Sequence, residues 1–200
     1  MSDPIDFYFD FSSPYSYLAS EMIDDLAAKY GRQVNWRPIL LGAAFQKSGL
    51  PLLVTVPLKG EYSLRDFDRS VRFYGIPFKF PEKFPLATHT AARGYYWLQG
   101  QYSDKARGFA HAVFRAYWSH GRDVSDLSVV KEIAAGQGID SDAMLEAAGQ
   151  PEIKARLKTE TDGAIAKGMF GAPYFIVDGE PFWGADRLPQ LEKWLASGGF

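Results

Sequence analysis

Residues 5–41 read IDFYFDFSSPYSYLASEMIDDLAAKYGRQVNWRPILL, and three patterns succeed one another within them. Ile5, Phe7, Phe9 and Phe11 alternate with Asp6, Tyr8 and Asp10, the period of two that a strand imposes because successive side chains point to opposite faces. Ser13 and Pro14 then stand as an N-cap and a first helical residue. Leu18, Met22, Leu26 and Tyr30 recur every fourth position up to Gly31, which predicts one helix with both ends marked. The run VNWRPILL from Val34 predicts a second strand. Together they form a βαβ unit, whose strands lie parallel through a right-handed crossover.

Beyond this unit, no strand pattern recurs from about Ser63 to Gly168, and helical spacing dominates, as in the stripe Phe109, Val113, Phe114, Tyr117 and Trp118. Within this block IPFKFPEKFP, residues 76–85, predicts a stiff extended connector, because each proline drives its predecessor out of helical geometry. Strand chemistry returns after Gly168: YFIV and EPFW flank Asp178-Gly179, a strong two-residue hairpin signal. A closing helix from Asp186 carries Leu188, Leu191, Trp194 and Leu195 on its apolar face. The order βαβ, helices, ββα predicts an α/β, thioredoxin-like fold with a four-stranded mixed sheet. Residues 1–62 and 169–200 form its thioredoxin-like domain, and residues 63–168 an inserted all-helical domain.

Two hundred residues, 46% hydrophobic, suffice for a sizeable core. A net charge of −2 with no basic run gives no electrostatic footprint for nucleic acid or an anionic membrane. The start MSDPIDFYFD lacks the pattern of a signal peptide, and no apolar run reaches membrane-spanning length, so a cytoplasmic protein is expected. Cysteine is absent, which excludes disulfides, thiolate metal sites and redox chemistry on a protein thiol; any sulfur chemistry must borrow its thiol. His89, His111 and His120 lack metal-ligand spacing, so no metal is expected. GxSxG, P-loop and GxGxxG motifs are absent too. The aromatic share, 16%, serves a thick core and leaves room for a flat apolar pocket.

Ser13, where a strand meets a helix, lies beside unpaired N–H groups that stabilise an anion; a plain N-cap explains it equally well. Pro173 precedes YFIV and cannot donate to a sheet ladder, so it belongs at the strand's start or in a special turn. Base rates favour a trans Ala172–Pro173 bond, and the inferred fold shifts that expectation towards cis. A cis bond would present the Ala172 N–H and C=O to an extended peptide-like ligand. In Trp183-Gly184-Ala185-Asp186-Arg187, Asp186 reads as the N-cap of the last helix; free N–H groups there suit a carboxylate, and the Asp186 side chain suits an ammonium. Lys59, expected in a loop after the βαβ unit, is a cation that could face the first helix.

FDFSSPYSYLA at 9–19, YGIPFKFP at 74–81, MFGAPYFIVDG at 169–179 and FWGADRL at 182–188 together resemble the 2-hydroxychromene-2-carboxylate isomerases and kappa-class glutathione transferases, relatives of the DsbA family. The resemblance spans essentially the whole chain. It implies glutathione as cofactor, with Ser13 hydrogen-bonded to the sulfur as thiolate stabiliser rather than covalent nucleophile. It further implies Ala172 beside Pro173 pairing with the tripeptide backbone, Trp183 to Arg187 holding the γ-glutamyl end with Asp186 as main charged partner, and Lys59 near glutathione. In the implied isomerase reaction glutathione adds to a conjugated ring, the opened adduct rotates, and the thiol leaves; in a transferase it stays attached to the electrophile. The family also implies a homodimer acting on a small aromatic or electrophilic substrate. Tyr15, Phe45 and Phe84 are candidates to line its pocket. Residues 43–58 depart from the naphthalene-pathway isomerases: they are mostly apolar, with Lys47 the only charge, so a chromene carboxylate would lack one partner there.

Overall fold

A computed structural model describes residues 3–200. Four strands, β1 (Ile5–Phe9), β2 (Val34–Pro38), β3 (Tyr174–Val177) and β4 (Glu180–Trp183), form one sheet in the order β2-β1-β3-β4. β1 runs parallel to β2 and antiparallel to β3, and β3 and β4 are antiparallel, which makes the mixed thioredoxin-like sheet. Register places Trp36, Phe7, Phe175 and Phe182 in one row across all four strands. Phe7 stacks on Phe175 at 5.2 Å and meets Trp36 edge-on at 5.1 Å. Such pairs each add roughly 0.5–1.5 kcal/mol beyond the area they bury. The β3–β4 turn is Asp178-Gly179 with φ of 53° and 88°, the primed geometry that matches strand twist.

The helix expected through Tyr30 is two helices, α1 (Pro14–Ser20) and α2 (Ile23–Lys29). Ser20 turns its hydroxyl back to the Tyr17 carbonyl at 2.7 Å, and Met22 N–H reaches Ala19 O rather than the carbonyl four residues back, so the first helix closes at Glu21. The apolar spacing runs through the break, because Leu18 and Leu26 still face the core.

Helix α3 (Leu41–Ser48) and the first turn of α4 (Lys59–Tyr74) fill a stretch in which the sequence predicted a loop, with a short 3-10 turn at Leu53–Thr55 between them. Lys59 therefore opens a sixteen-residue helix instead of lying in a loop, and residues 62–63 fall inside that helix. Neither N-cap residue caps its own helix through a side chain, since leucines occupy both positions, Leu40 and Leu58. Residues 76–85 form the extended connector, pinned by Tyr17 Oη to Pro77 O at 2.6 Å and Lys79 N–H to Trp118 O at 2.8 Å. Then follow α5 (His89–Gln101), α6 (Ser103–Trp118), α7 (Leu127–Gly136), α8 (Ser141–Gly149) and α9 (Pro151–Ala166). The α6 stripe Phe109, Val113, Phe114, Tyr117 and Trp118 is fully buried and shares one core with Phe9, Phe11 and Trp36 of the sheet region. The last helix, α10 (Leu188–Ser197), begins later than expected: Asp186 lies in a 3-10 turn, Ala185–Arg187, and Arg187 takes the N-cap position without a side-chain bond. Pro189 in the first turn of α10 supplies its start instead.

Candidate active site at the head of the first helix

Ser13 is 4% exposed and makes two hydrogen bonds through one oxygen. Its Oγ accepts from Ser16 N–H at 3.2 Å, the N-cap bond of α1, and donates to the carbonyl of Ala172 at 3.0 Å. A serine cap is worth about 1 kcal/mol. Pro14 has no N–H, and Ser16 N–H and Tyr17 N–H are taken by Ser13, so among the described residues only Tyr15 N–H in this first turn stays unpaired. With α1 only seven residues long, the hydroxyl is the stronger of the two means of holding an anion here.

The Ala172–Pro173 bond is cis, and Tyr174 begins β3 directly after it. Pro173 O accepts from Gly184 N–H at 3.0 Å, which ties the Trp183–Arg187 segment to the same corner. The indole of Trp183, half exposed, lies so close over Gly171 that a Cβ there would meet its Nε1 at 2.5 Å. Asp186 is exposed and pairs with Arg187 at 3.3 Å, while Ala185 is buried beneath them. The 3-10 turn packs against α1.

Tyr15 connects these parts to α4. Its hydroxyl donates to Asp66 at 3.0 Å and lies 3.5 Å from Ser63 O, with the ring edge-on to Phe67 at 5.5 Å. Burial, then the hydrogen bond and charge of Asp66, with the charge of Asp186 beyond, push this phenol well above its ordinary value, so it acts as a donor and not as a base. Lys59, Ser63 and Asp66 share one face of α4 by helical spacing, and Lys59 stands one turn before Ser63, exposed. Its position is fixed by a tight turn: Leu58, at φ 64° and ψ −51°, lets Lys59 N–H reach Pro57 O at 2.7 Å. Gly60 is required below it, since a Cβ would come within 2.4 Å of Val54 O.

Of the pocket candidates, Tyr15 adjoins the site through these contacts. Phe84 is half-buried against Trp118 at 5.6 Å, and two residues on Leu86 N–H donates to Ser12 Oγ at 3.1 Å. Phe45 is partly buried on α3, one turn after Leu41, whose N–H donates to Asp10 Oδ2 at 2.9 Å. Asp10, Asp66 and Thr88 escaped the sequence reading. Asp10 is buried just ahead of Ser13, and burial raises its carboxyl while the bonds from Leu41, Ser12 and Thr88 pull it down, the net being upward. A groove of about 540 Å³ near His111, Arg115 and Glu132 holds none of these residues.

The profile of the DSBA-like thioredoxin domain matches residues 4–196. The chain is 35% identical over 197 residues to a 2-hydroxychromene-2-carboxylate isomerase of Sphingobium xenophagum, covering 98% of this chain and 99% of the relative. It is 28% identical to glutathione S-transferase kappa 2 of Caenorhabditis elegans, over 96% of this chain and 91% of that one. A solved structure of a selenomethionine-labelled 2-hydroxychromene-2-carboxylate isomerase superimposes with a TM-score of 0.88 at 29% identity, over 96% of this chain and 94% of the other.

Proposed function

This chain belongs to the DSBA-like thioredoxin-domain family and to the group of 2-hydroxychromene-2-carboxylate isomerases and kappa glutathione transferases within it, and from that premise we propose that it is a glutathione-dependent isomerase of 2-hydroxychromene-2-carboxylate-like aromatic catabolites. The observation that carries the reading is the Ser13–Ala172 hydrogen bond, which supplies a hydroxyl donor and a peptide-edge position at one point in a protein without cysteine. The residues fit the tripeptide: a hydroxyl for sulfur, the Ala172 backbone for the peptide, an exposed carboxylate at Asp186 for an ammonium, and Lys59 for a carboxylate. Glutathione supplies the thiol that adds to the substrate and departs from it.

Ser13 turns its proton from the Ala172 carbonyl to the bound sulfur, favouring the charged form by hydrogen bonding. Ala172, freed of Ser13, aligns the peptide as an added strand would be aligned. Trp183 to Arg187 fix the γ-glutamyl end, and Tyr15, held by Asp66, keeps α1 and α4 in register around it. Phe45 and Phe84 line the aromatic side of the pocket. The reading includes a cytoplasmic homodimer; among the described residues no helix is long and apolar enough to cross a membrane.

A second reading, a kappa-like transferase or peroxidase on other electrophiles, is favoured by residues 43–58, where Lys47 is the only charge available to a carboxylate substrate. Incubation with 2-hydroxychromene-2-carboxylate and catalytic glutathione separates the two. Isomerisation with the thiol recovered supports the first, and thiol consumed one for one by 1-chloro-2,4-dinitrobenzene without chromene turnover supports the second.

A further inference from the structure

Asp10 sits on the turn that leads into Ser13 and takes no part in the proposed reaction. Its Oδ1 accepts from Ser12 N–H at 2.8 Å and from Thr88 Oγ1 at 2.9 Å, its Oδ2 from Leu41 N–H at 2.9 Å, and its backbone oxygen from Ser13 N–H at 2.9 Å. No cation pairs with it among the described residues, so these donors alone offset its desolvation. Two helix starts depend on it. Leu40, at the N-cap of α3, has no capping side chain, and the Asp10 carboxylate takes the orphan N–H of Leu41 in its place. Thr88, at the N-cap of α5, makes no capping bond to its own helix, and its hydroxyl donates to Asp10.

The three segments gathered at this carboxylate are the turn carrying Ser13, the helix carrying Phe45, and the strand-like segment carrying Phe84, which is tied a second time through Leu86 N–H to Ser12. We propose that Asp10, with Thr88, is a positioning residue that sets the apolar walls of the electrophile pocket against the thiol-binding serine. The effect of its side chain falls on the bound aromatic group: Ser13 N–H is held by the backbone oxygen of Asp10, which a side-chain change leaves in place, and the tripeptide contacts at Ala172, Asp186 and Lys59 lie on other segments. The inference rests on the glutathione reading.

Calorimetric titration of the holo-length protein with glutathione and with S-(2,4-dinitrophenyl)glutathione tests it without turnover. The ratio of the two dissociation constants isolates the contribution of the aromatic group. Thr88→Val is expected to shrink that ratio about fivefold, the scale of one buried hydrogen bond, with glutathione affinity itself kept within about twofold. Thr88→Ser, which retains the hydroxyl, is expected to restore it; Asp10→Asn, if folded, follows Thr88→Val. A Thr88→Val protein with a lower melting temperature but the wild-type ratio overturns the positioning role, as does a Thr88→Ser protein that loses the ratio as well. Failure of both compounds to bind the wild type overturns the glutathione reading on which the inference stands.

Discussion

The Ser13 hydroxyl donates to the Ala172 carbonyl at 3.0 Å across 159 residues of sequence, so the head of α1 and the start of β3 are fastened by the same group proposed to meet the thiol. Ser13→Ala removes this bond and the N-cap bond to Ser16 N–H together. The expected cost is about 1–2 kcal/mol, a fall of a few degrees in melting temperature measured by calorimetry. Saturating glutathione is expected to stabilise wild type more than the variant.

Gly60→Ala tests how Lys59 is held. The added Cβ would lie 2.4 Å from Val54 O, a backbone atom that cannot swing aside, so the 3-10 turn and the first turn of α4 must part. About 1–3 kcal/mol of destabilisation is expected in urea unfolding, along with weaker glutathione binding. A variant of unchanged stability would mean that the segment yields easily and does not fix Lys59.

Asp186→Ala is expected to separate binding from folding. Its side chain is 73% exposed and its ion pair with Arg187 is local, so stability should stay within about 0.5 kcal/mol. Loss of a charge-assisted contact to the glutathione ammonium should weaken binding about tenfold or more in calorimetry. Equal binding by the variant would remove Asp186 from the γ-glutamyl site.

Acid should weaken the fold partly through Asp6. Burial raises its carboxyl, but the hydrogen bond and charge of Arg37, helped by Asn35 and Lys167, outweigh this and hold it below its ordinary value of 3.8. A depressed folded value means that its contribution is present above pH 3.8 and is lost as the pH falls through the lower folded value. Asp10, raised in the fold, works in the opposite sense. Chemical unfolding of wild type and Asp6→Asn should therefore show a gap at pH 7 that narrows towards pH 3; a gap constant with pH would contradict the assignment.

Much of this molecule is legible from local chemistry. The alternation of Ile5, Phe7, Phe9 and Phe11 and the Asp178-Gly179 turn each encode their element within a few residues, and β1 and the hairpin stand where the sequence puts them, with β1 ending at Phe9, before the alternation does. Features set by distant partners are not legible in that way. The break after Ser20 leaves the apolar spacing intact, and α3 and α4 begin at leucines with no capping signal, the first of them capped by Asp10 from another segment. Asp10 shares by its period the face of Asp6 and Tyr8, and the burial of Tyr8 reveals that this side of the sheet is covered too. The candidates Ser13, Ala172 and Asp186 rest on local geometry and resemblance together, whereas the Tyr15–Asp66 bond joins residues 51 positions apart.

The role proposed for Ser13, hydrogen-bond donor to a borrowed thiolate, has a spectroscopic signature in the thiolate absorbance of bound glutathione followed against pH. In the wild type the bound thiol should titrate below free glutathione, and in Ser13→Ala its midpoint should rise by about one unit or more as the hydroxyl donor is lost. Bound thiols titrating at the same pH in both proteins would rule out that role for the Ser13 hydroxyl.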